Sequence, residues 1–168
     1  FTPGDLEERR RLYGPSIERA SLVLAISEFT RQTLIDKLGT DPAKILVTPL
    51  APDPIFLPGA PGVTARDAVL RKYDLEGKPY FIFPGNTWRH KNHRAAVRAL
   101  ALHRAQSGDE VLLICTGAAK EAQPELEALI RELSLENQVR FLGYVPREEL
   151  PALYQGAQAL VFPSLFEG

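Results

Sequence analysis

The chain has 168 residues, of which 45% are hydrophobic and 24% charged, so it can bury a substantial core and is not disordered. Its 20 basic and 21 acidic residues leave a net charge of -1, which excludes a global positive field that would hold a nucleic acid or an anionic bilayer. A single cysteine, Cys115, excludes an internal disulfide and is typical of a cytoplasmic protein.

The first predicted elements are a strand, a helix and a second strand. Residues 22–26 are rich in branched apolar side chains, and Ser27 follows them as an N-cap with Glu28 in the first turn of a helix that runs to Leu38. Residues 45–48 predict the next strand. Prolines and glycines then exclude a helix or a central strand over residues 49–63, which predicts an interdomain connection. They are Pro49, Pro52, Pro54, Pro58, Gly59, Pro61 and Gly62.

Strands and helices alternate regularly after residue 78. Apolar spacings of three and four predict the helices, and short branched runs predict the strands. The predicted strands are 80–84, 111–115, 139–142 and 159–162, and the predicted helices are 93–104, 122–133 and 147–154. Pro151 is compatible with the last helix only near its first turn. This alternation predicts an α/β fold with a Rossmann-like parallel sheet and helices on both faces.

In such a sheet, ligands bind beyond the carboxyl ends of the strands, where helix N-termini offer unpaired N–H groups. The first loop at this edge combines Gly85 and Asn86 with the cations Arg89 and Lys91, which suits a diphosphate. A solvated basic turn is the alternative interpretation. Trp88 could stack on a base or sugar, or anchor the loop to the core.

Further candidate residues follow the other strands of this sheet. Gly117 lies in a run of small residues that lets a ligand approach the backbone, although a tight turn explains the run equally well. Glu167 places a carboxylate at the mouth of the sheet, where it could accept hydrogen bonds from sugar hydroxyls or be merely an exposed acid. His90 and His93 lack neighbouring cysteines or carboxylates, so no metal site is predicted.

Together these segments resemble the retaining glycosyltransferases of family 4, which have the two-domain GT-B fold. Residues 25–30 are similar to a strand-serine-helix segment near the end of the family's first domain, and residues 47–52 to its passage toward the second. The sequence Trp-Arg-His-Lys-Asn-His at 88–93 resembles the family's phosphate loop, in a form often described for mannosyl- or rhamnosyltransferases. Residues 161–168 look like the opening of its donor motif, E-x7-E.

The resemblance implies a role for each matching residue. Lys91 would bind the donor diphosphate, and Glu167 would be the first glutamate of E-x7-E and contact the donor sugar in the catalytic site. Residues 141–145 look like the family's segment beside the nucleotide base, which places Tyr144 and Val145 there. Many members carry an arginine where this chain has Asn86, so Arg89 would have to compensate.

The resemblance also implies an organisation and an activity. Residues 1–58 would be the end of an N-terminal acceptor domain with the connection, and residues 59–168 a truncated nucleotide-sugar-binding domain. The activity would be retaining transfer of a hexose, mannose being one candidate, from a GDP- or UDP-linked donor to a carbohydrate or lipid-linked sugar acceptor. No metal or other cofactor is expected. The parent enzyme would be cytoplasmic, with peripheral association at the inner face of the membrane as an option.

The sequence leaves alternatives to this interpretation. A GT-B epimerase or phosphorylase would share the fold, and a non-catalytic nucleotide-binding module would share the loops. The chain contains no methionine and stops directly after a strand-like segment, so we expect both ends to be cuts in a longer protein.

Overall fold

The computed structural model describes residues 3–57, 59–60 and 64–167, and these form two compact units that divide after Pro52. Four residues of the predicted connection, Pro58, Pro61, Gly62 and Val63, lie outside the described residues, as does Gly168 of the donor-like motif. No helix in the described part of the chain is long and apolar enough to span a bilayer.

The first unit contains two helices and two short parallel strands. They are α1 (Pro3–Arg19), β1 (Val23–Ala25), α2 (Glu28–Leu38) and β2 (Ile45–Val47). The predicted N-cap of α2 is confirmed, because the Ser27 hydroxyl accepts a hydrogen bond of 3.1 Å from the Thr30 N–H. Gly39 ends this helix in the left-handed conformation, at φ 63°, which explains the stop after Leu38.

Helix α1 was not predicted from the sequence. Its side chains are largely exposed, so the apolar spacing that reveals a packed helix is weak. It also contains Pro15, which removes one backbone donor from the helix interior.

The second unit is an α/β layer structure built on one four-stranded parallel sheet. Its elements are α3 (Arg66–Lys72), β3 (Tyr80–Pro84), α4 (His93–Ser107), β4 (Leu112–Thr116), α5 (Gln123–Glu132), β5 (Val139–Gly143), α6 (Leu150–Gly156) and β6 (Ala159–Leu160). The strand order is β5-β4-β3-β6, with every pair parallel. The predicted fold class is therefore confirmed.

Alternation along the central strands supplies two cores. Ile82 and Ile114 point to the face covered by α3 and α6, whereas Phe83 and Leu113 point to the face covered by α4 and α5. Cys115 is buried on the second face, and burial raises the pKa of its thiol to about 12. It behaves as the small buried hydrophobe that its apolar surroundings suggest.

The structure corrects several predicted boundaries. The helix predicted over residues 147–154 begins as a 3₁₀ turn, Arg147–Glu149, and becomes α-helical only at Leu150, with Pro151 in its first turn. Strand β6 is two residues long instead of four, and helix α3 was not predicted because its seven residues are too few for a clear period.

The end of the connection packs on the second unit. The Asp53 carboxylate caps the 3₁₀ turn Pro54–Phe56 and accepts hydrogen bonds of 2.9 and 2.6 Å at Oδ2 from the Arg147 guanidinium. The Phe56 ring meets the Tyr154 ring edge-on at 5.4 Å between centroids. From Asp53 onward the described connection therefore belongs to the second unit.

Candidate functional site

Two loops at the carboxyl edge of the sheet are joined by hydrogen bonds. The Gly85 N–H donates to the Thr116 carbonyl at 2.9 Å, which continues the pairing of β3 and β4 beyond the strands. The Asn86 side-chain oxygen accepts from the Ala118 N–H at 2.7 Å. Asn86 therefore holds the loop after β4 beside the loop after β3.

Gly117 brings the two backbones into direct contact. A Cβ on Gly117 would lie 2.7 Å from the Gly85 carbonyl carbon and 2.8 Å from the Asn86 nitrogen, closer than any side chain tolerates. Its φ of 114° is also a conformation that other residues rarely adopt. Glycine is required here by close approach, so the run of small residues is more than a tight turn.

The turn that carries the predicted cations is tied to the loop after β6. Residues Arg89–Lys91 form a 3₁₀ turn that ends at Asn92 in the left-handed conformation, with φ 59°. The Asn92 side chain donates to the Pro163 carbonyl at 3.1 Å, and the Leu165 N–H donates to the His90 carbonyl at 2.8 Å. Residues distant in sequence thus form one edge.

Lys91 and Glu167 form an ion pair within this edge. The Lys91 ammonium lies 2.7 Å from a Glu167 carboxylate oxygen, with 19% of the lysine side chain and 42% of the glutamate side chain exposed. The hydrogen bond from Lys91 is the main cause that lowers the pKa of Glu167. The lysine chain also passes close to Gly85, so three predicted site residues lie together.

Arg89 has a different partner. Its guanidinium makes two hydrogen bonds, of 3.1 and 2.6 Å, with the Glu125 carboxylate on α5. Its backbone N–H donates to a Glu121 carboxylate oxygen at 3.1 Å. The structure therefore does not bring the two predicted cations to one point.

A groove of about 550 Å³ opens beside this turn, between the start of α4 and helix α5. Trp88, which is 39% exposed, lines it together with Arg89 and Leu165. The Lys120 ammonium lies 5.2 Å from the centre of the Trp88 ring. Trp88 is therefore partly exposed at the groove, where a ligand can contact its ring.

The loop after β5 contributes two predicted residues in different ways. The Gly143 carbonyl accepts from the Gly117 N–H at 2.7 Å, which places this loop next to the other two. Tyr144 is 83% exposed and free to meet a ligand. Val145 is 5% exposed and packs in the core against α6, so only its backbone can contact a base.

His93 is a residue of this region whose importance the sequence did not reveal. It is 2% exposed, and its ring stacks on the Phe83 ring with centroids 3.8 Å apart. Burial lowers the pKa of the imidazole to about 4, so it is neutral at neutral pH. A histidine at the first position of a helix gives no sequence signal that separates this buried state from an exposed one.

Thr87 is a second residue that the sequence did not single out. Its buried hydroxyl accepts a hydrogen bond from the Lys120 N–H at 2.7 Å, which adds a further link between the two loops.

The edge as a whole is suited to an anion. Within the described residues the Asn86 N–H has no hydrogen-bond partner, and the first turn of α4 has no capping side chain. Free amides at a helix N-terminus, together with the Lys91 ammonium, favour phosphate oxygens. The described residues contain no group of three or more His, Cys, Asp or Glu side chains placed to hold a metal ion.

Comparison with known proteins identifies relatives of this chain. Residues 66–168 match the family described as glycosyl transferases group 1. The O-antigen chain mannosyltransferase B of Escherichia coli is 32% identical over 153 residues, covering 91% of this chain and 40% of that protein. The 2-deoxystreptamine glucosyltransferase of Streptomyces kanamyceticus is 29% identical over 154 residues, covering 90% and 39%. The chain thus spans about 40% of the length of these curated relatives.

Solved structures share the fold. The Anabaena protein HepE in complex with UDP and glucose has a TM-score of 0.75 at 22% identity, over 98% of this chain and 42% of that one. Sucrose-phosphate synthase from Thermosynechococcus elongatus has a TM-score of 0.78 at 20% identity, over 96% and 39%.

Proposed function

Because the chain belongs to the glycosyl transferases group 1 family, we propose that its second unit binds the nucleotide-sugar donor of a glycosyltransferase. The observation that carries the proposal is the Lys91–Glu167 ion pair beside Gly85, at the edge where the loops after β3, β4, β5 and β6 meet. A cation and an acid side by side suit the two ends of such a donor, which has a charged diphosphate and a sugar rich in hydroxyls.

The proposed roles follow from these contacts. Lys91 neutralises the diphosphate, and the free Asn86 N–H with the first turn of α4 donates to its oxygens. These groups stabilise the nucleoside diphosphate as the glycosidic bond to it breaks, and this positive charge can take the place of a metal ion. Glu167 then accepts hydrogen bonds from sugar hydroxyls.

Donor binding must rearrange the ion pair. In the structure the Lys91 ammonium already has a carboxylate partner at 2.7 Å. A diphosphate carries more charge than one carboxylate and would compete for the ammonium, which frees Glu167 to face the sugar. Tyr144, exposed beside Gly117, is placed to contact the base. Arg89 would have to leave Glu125 to take part.

The finer features of the reaction are proposed for the full-length protein. They are family 4 membership, retention of configuration, transfer of a hexose and an acceptor that is a carbohydrate or a lipid-linked sugar. Mannose is favoured by the mannosyltransferase relatives, and of the two proposed donors, GDP-linked and UDP-linked, the HepE complexes with UDP and UDP-glucose favour the UDP-linked one. Residues 1–58 would be the end of the acceptor domain with the connection, and residues 59–168 would carry the donor side.

A turnover assay tests this proposal. Full-length protein is incubated with GDP-mannose or UDP-glucose and an acceptor, and nucleoside diphosphate release is measured for wild type, Lys91→Ala and the control Lys78→Ala. Lys78 is a suitable control because it is also a lysine paired with one carboxylate, that of Asp74, and both residues precede β3. We expect turnover to fall at least tenfold in Lys91→Ala alone. Equal turnover in all three proteins would reject the assigned role of Lys91.

A further inference from the structure

His93 is a buried polar residue without a conventional partner. It begins α4, is 2% exposed and stacks on Phe83, yet neither ring nitrogen makes a well-formed hydrogen bond in the described residues. The Phe83 ring on which it stacks lies against Gly85, because a Cβ built on Gly85 would be 3.7 Å from Phe83 Cε1. The Gly85 backbone also acts to raise the pKa of the imidazole, against the larger effect of burial. The imidazole thus lies next to the loop that carries the candidate site.

The backbone of Gly85 is held from another side as well. The peptide that links Gly85 to Asn86 lies against Gly117, since a Cβ there would come within 2.8 Å of its carbonyl oxygen and nitrogen. The N–H of this same peptide, on Asn86, has no partner in the described part of the chain. The orientation of the Gly85–Asn86 peptide decides whether the Asn86 N–H can donate to a ligand at the carboxyl edge of the sheet.

A phenylalanine in place of His93 would stack on Phe83 without burying two ring nitrogens. Burying a polar group without a hydrogen bond is unfavourable, so an imidazole here lowers stability relative to a phenylalanine ring. No group of metal ligands surrounds it among the described residues. A histidine at position 93 is therefore better explained by a hydrogen bond that its ring N–H makes when a ligand is bound.

We infer that His93 is a positioning residue of the donor site, whose ring N–H bonds the Gly85 carbonyl when donor binds and so fixes the Asn86 N–H toward the diphosphate. This inference rests on the proposed function. The two ring nitrogens of His93 are buried, so they do not bond the donor directly. Its effect passes through the Gly85–Asn86 peptide, a backbone group that no side-chain substitution at residue 86 removes.

The test uses full-length protein and four variants at position 93. His93→Phe keeps the stacking ring and removes the N–H, and His93→Leu removes both. His93→Asn and His93→Gln each keep an amide N–H, in place of Nδ1 and Nε2 respectively. Thermal unfolding reports folding, titration with UDP and with GDP reports the dissociation constant, and transfer kinetics separate KM from kcat. Lys91→Ala reports the donor site itself.

We expect His93→Phe to melt at or above the wild-type temperature and to bind the nucleoside diphosphate on the order of tenfold more weakly, with recovery in Asn or Gln. Wild-type affinity in His93→Phe, or weak binding that neither amide variant recovers, overturns the inference. If His93→Phe does not fold, His93→Leu replaces it as the variant without a ring N–H. Nucleotide binding that is tighter in His93→Asn or His93→Gln than in His93→Leu supports the inference, and equal binding in all three variants overturns it.

The proposed function fails in a different way. If Lys91→Ala binds UDP and GDP as wild type does, or wild type binds neither, then the site is not a donor site and the role of His93 falls with it. A normal loss in Lys91→Ala beside an unaffected His93→Phe rejects the His93 role alone.

Discussion

The buried His93 makes the stability of the chain depend on pH in a calculable way. Burial lowers the imidazole pKa from 6.5 to about 4. The unfolded chain therefore binds a proton below pH 6.5 that the folded chain does not bind until about pH 4. A group of this kind lowers the free energy of unfolding as the pH falls through that window, and leaves it unchanged above pH 6.5.

The size of the effect follows from the width of the window. One pKa unit corresponds to about 1.4 kcal/mol in the free energy of unfolding. The shift of the His93 pKa from 6.5 to about 4 therefore corresponds to about 3 kcal/mol. At pH 5 the loss from His93 alone is about 2 kcal/mol. Other groups also titrate in this range, so the quantity to compare is the difference between wild type and a variant that lacks the imidazole.

The assay is urea unfolding of wild type, His93→Phe and His103→Phe at pH 7 and pH 5. His103 is the matched control, because it lies on the same helix but is only half-buried, with its ring 6.5 Å from the Phe81 ring. We expect wild type and His103→Phe to lose about 2 kcal/mol more than His93→Phe between the two pH values. Equal losses in all three proteins would refute the burial of a neutral imidazole at position 93.

Three further predictions concern the two close glycine contacts and the ion pair. Gly117→Ala should lower the free energy of unfolding by about 1 to 3 kcal/mol in urea unfolding and weaken nucleotide binding, because its Cβ would strike the neighbouring backbone. Gly156→Ala should destabilise by a similar amount without altering the binding site, because its Cβ would overlap the Tyr80 hydroxyl; unchanged unfolding would reject this packing. Glu167 should keep its bond to Lys91 above pH 4.5 and lose it as the pH falls through its lowered pKa, which carboxylate NMR shifts would follow; a titration at the ordinary value would contradict the pair.

Much of the second unit could be predicted because its residues obey local rules. Each central strand is a short branched run, and Leu126 and Leu129 of α5 repeat at the helical spacing, so element type follows from the pattern. The boundaries were less predictable. The 3₁₀ turn before α6 and the two-residue β6 depend on tertiary packing that the spacing does not encode.

The candidate site could be predicted only in part. Gly85, Gly117, Lys91 and Glu167 were identified because they follow strands whose carboxyl ends meet at one edge. The loop composition alone does not separate Arg89 from Lys91, and only the family resemblance assigns the diphosphate to Lys91. Their different carboxylate partners, Glu125 and Glu167, depend on the tertiary structure. The burial of Val145 and of His93 likewise depends on packing between distant segments.

Isothermal titration of the full-length protein with GDP, UDP, ADP and dTDP at fixed salt tests the central claim most directly. Wild type, Lys91→Ala and the control Lys78→Ala are compared under identical conditions. We predict that one or more of the diphosphates binds, and that the dissociation constant rises at least tenfold in Lys91→Ala while Lys78→Ala is unchanged. Binding of equal strength in Lys91→Ala, or no binding of any diphosphate to wild type, would contradict a donor site at this edge.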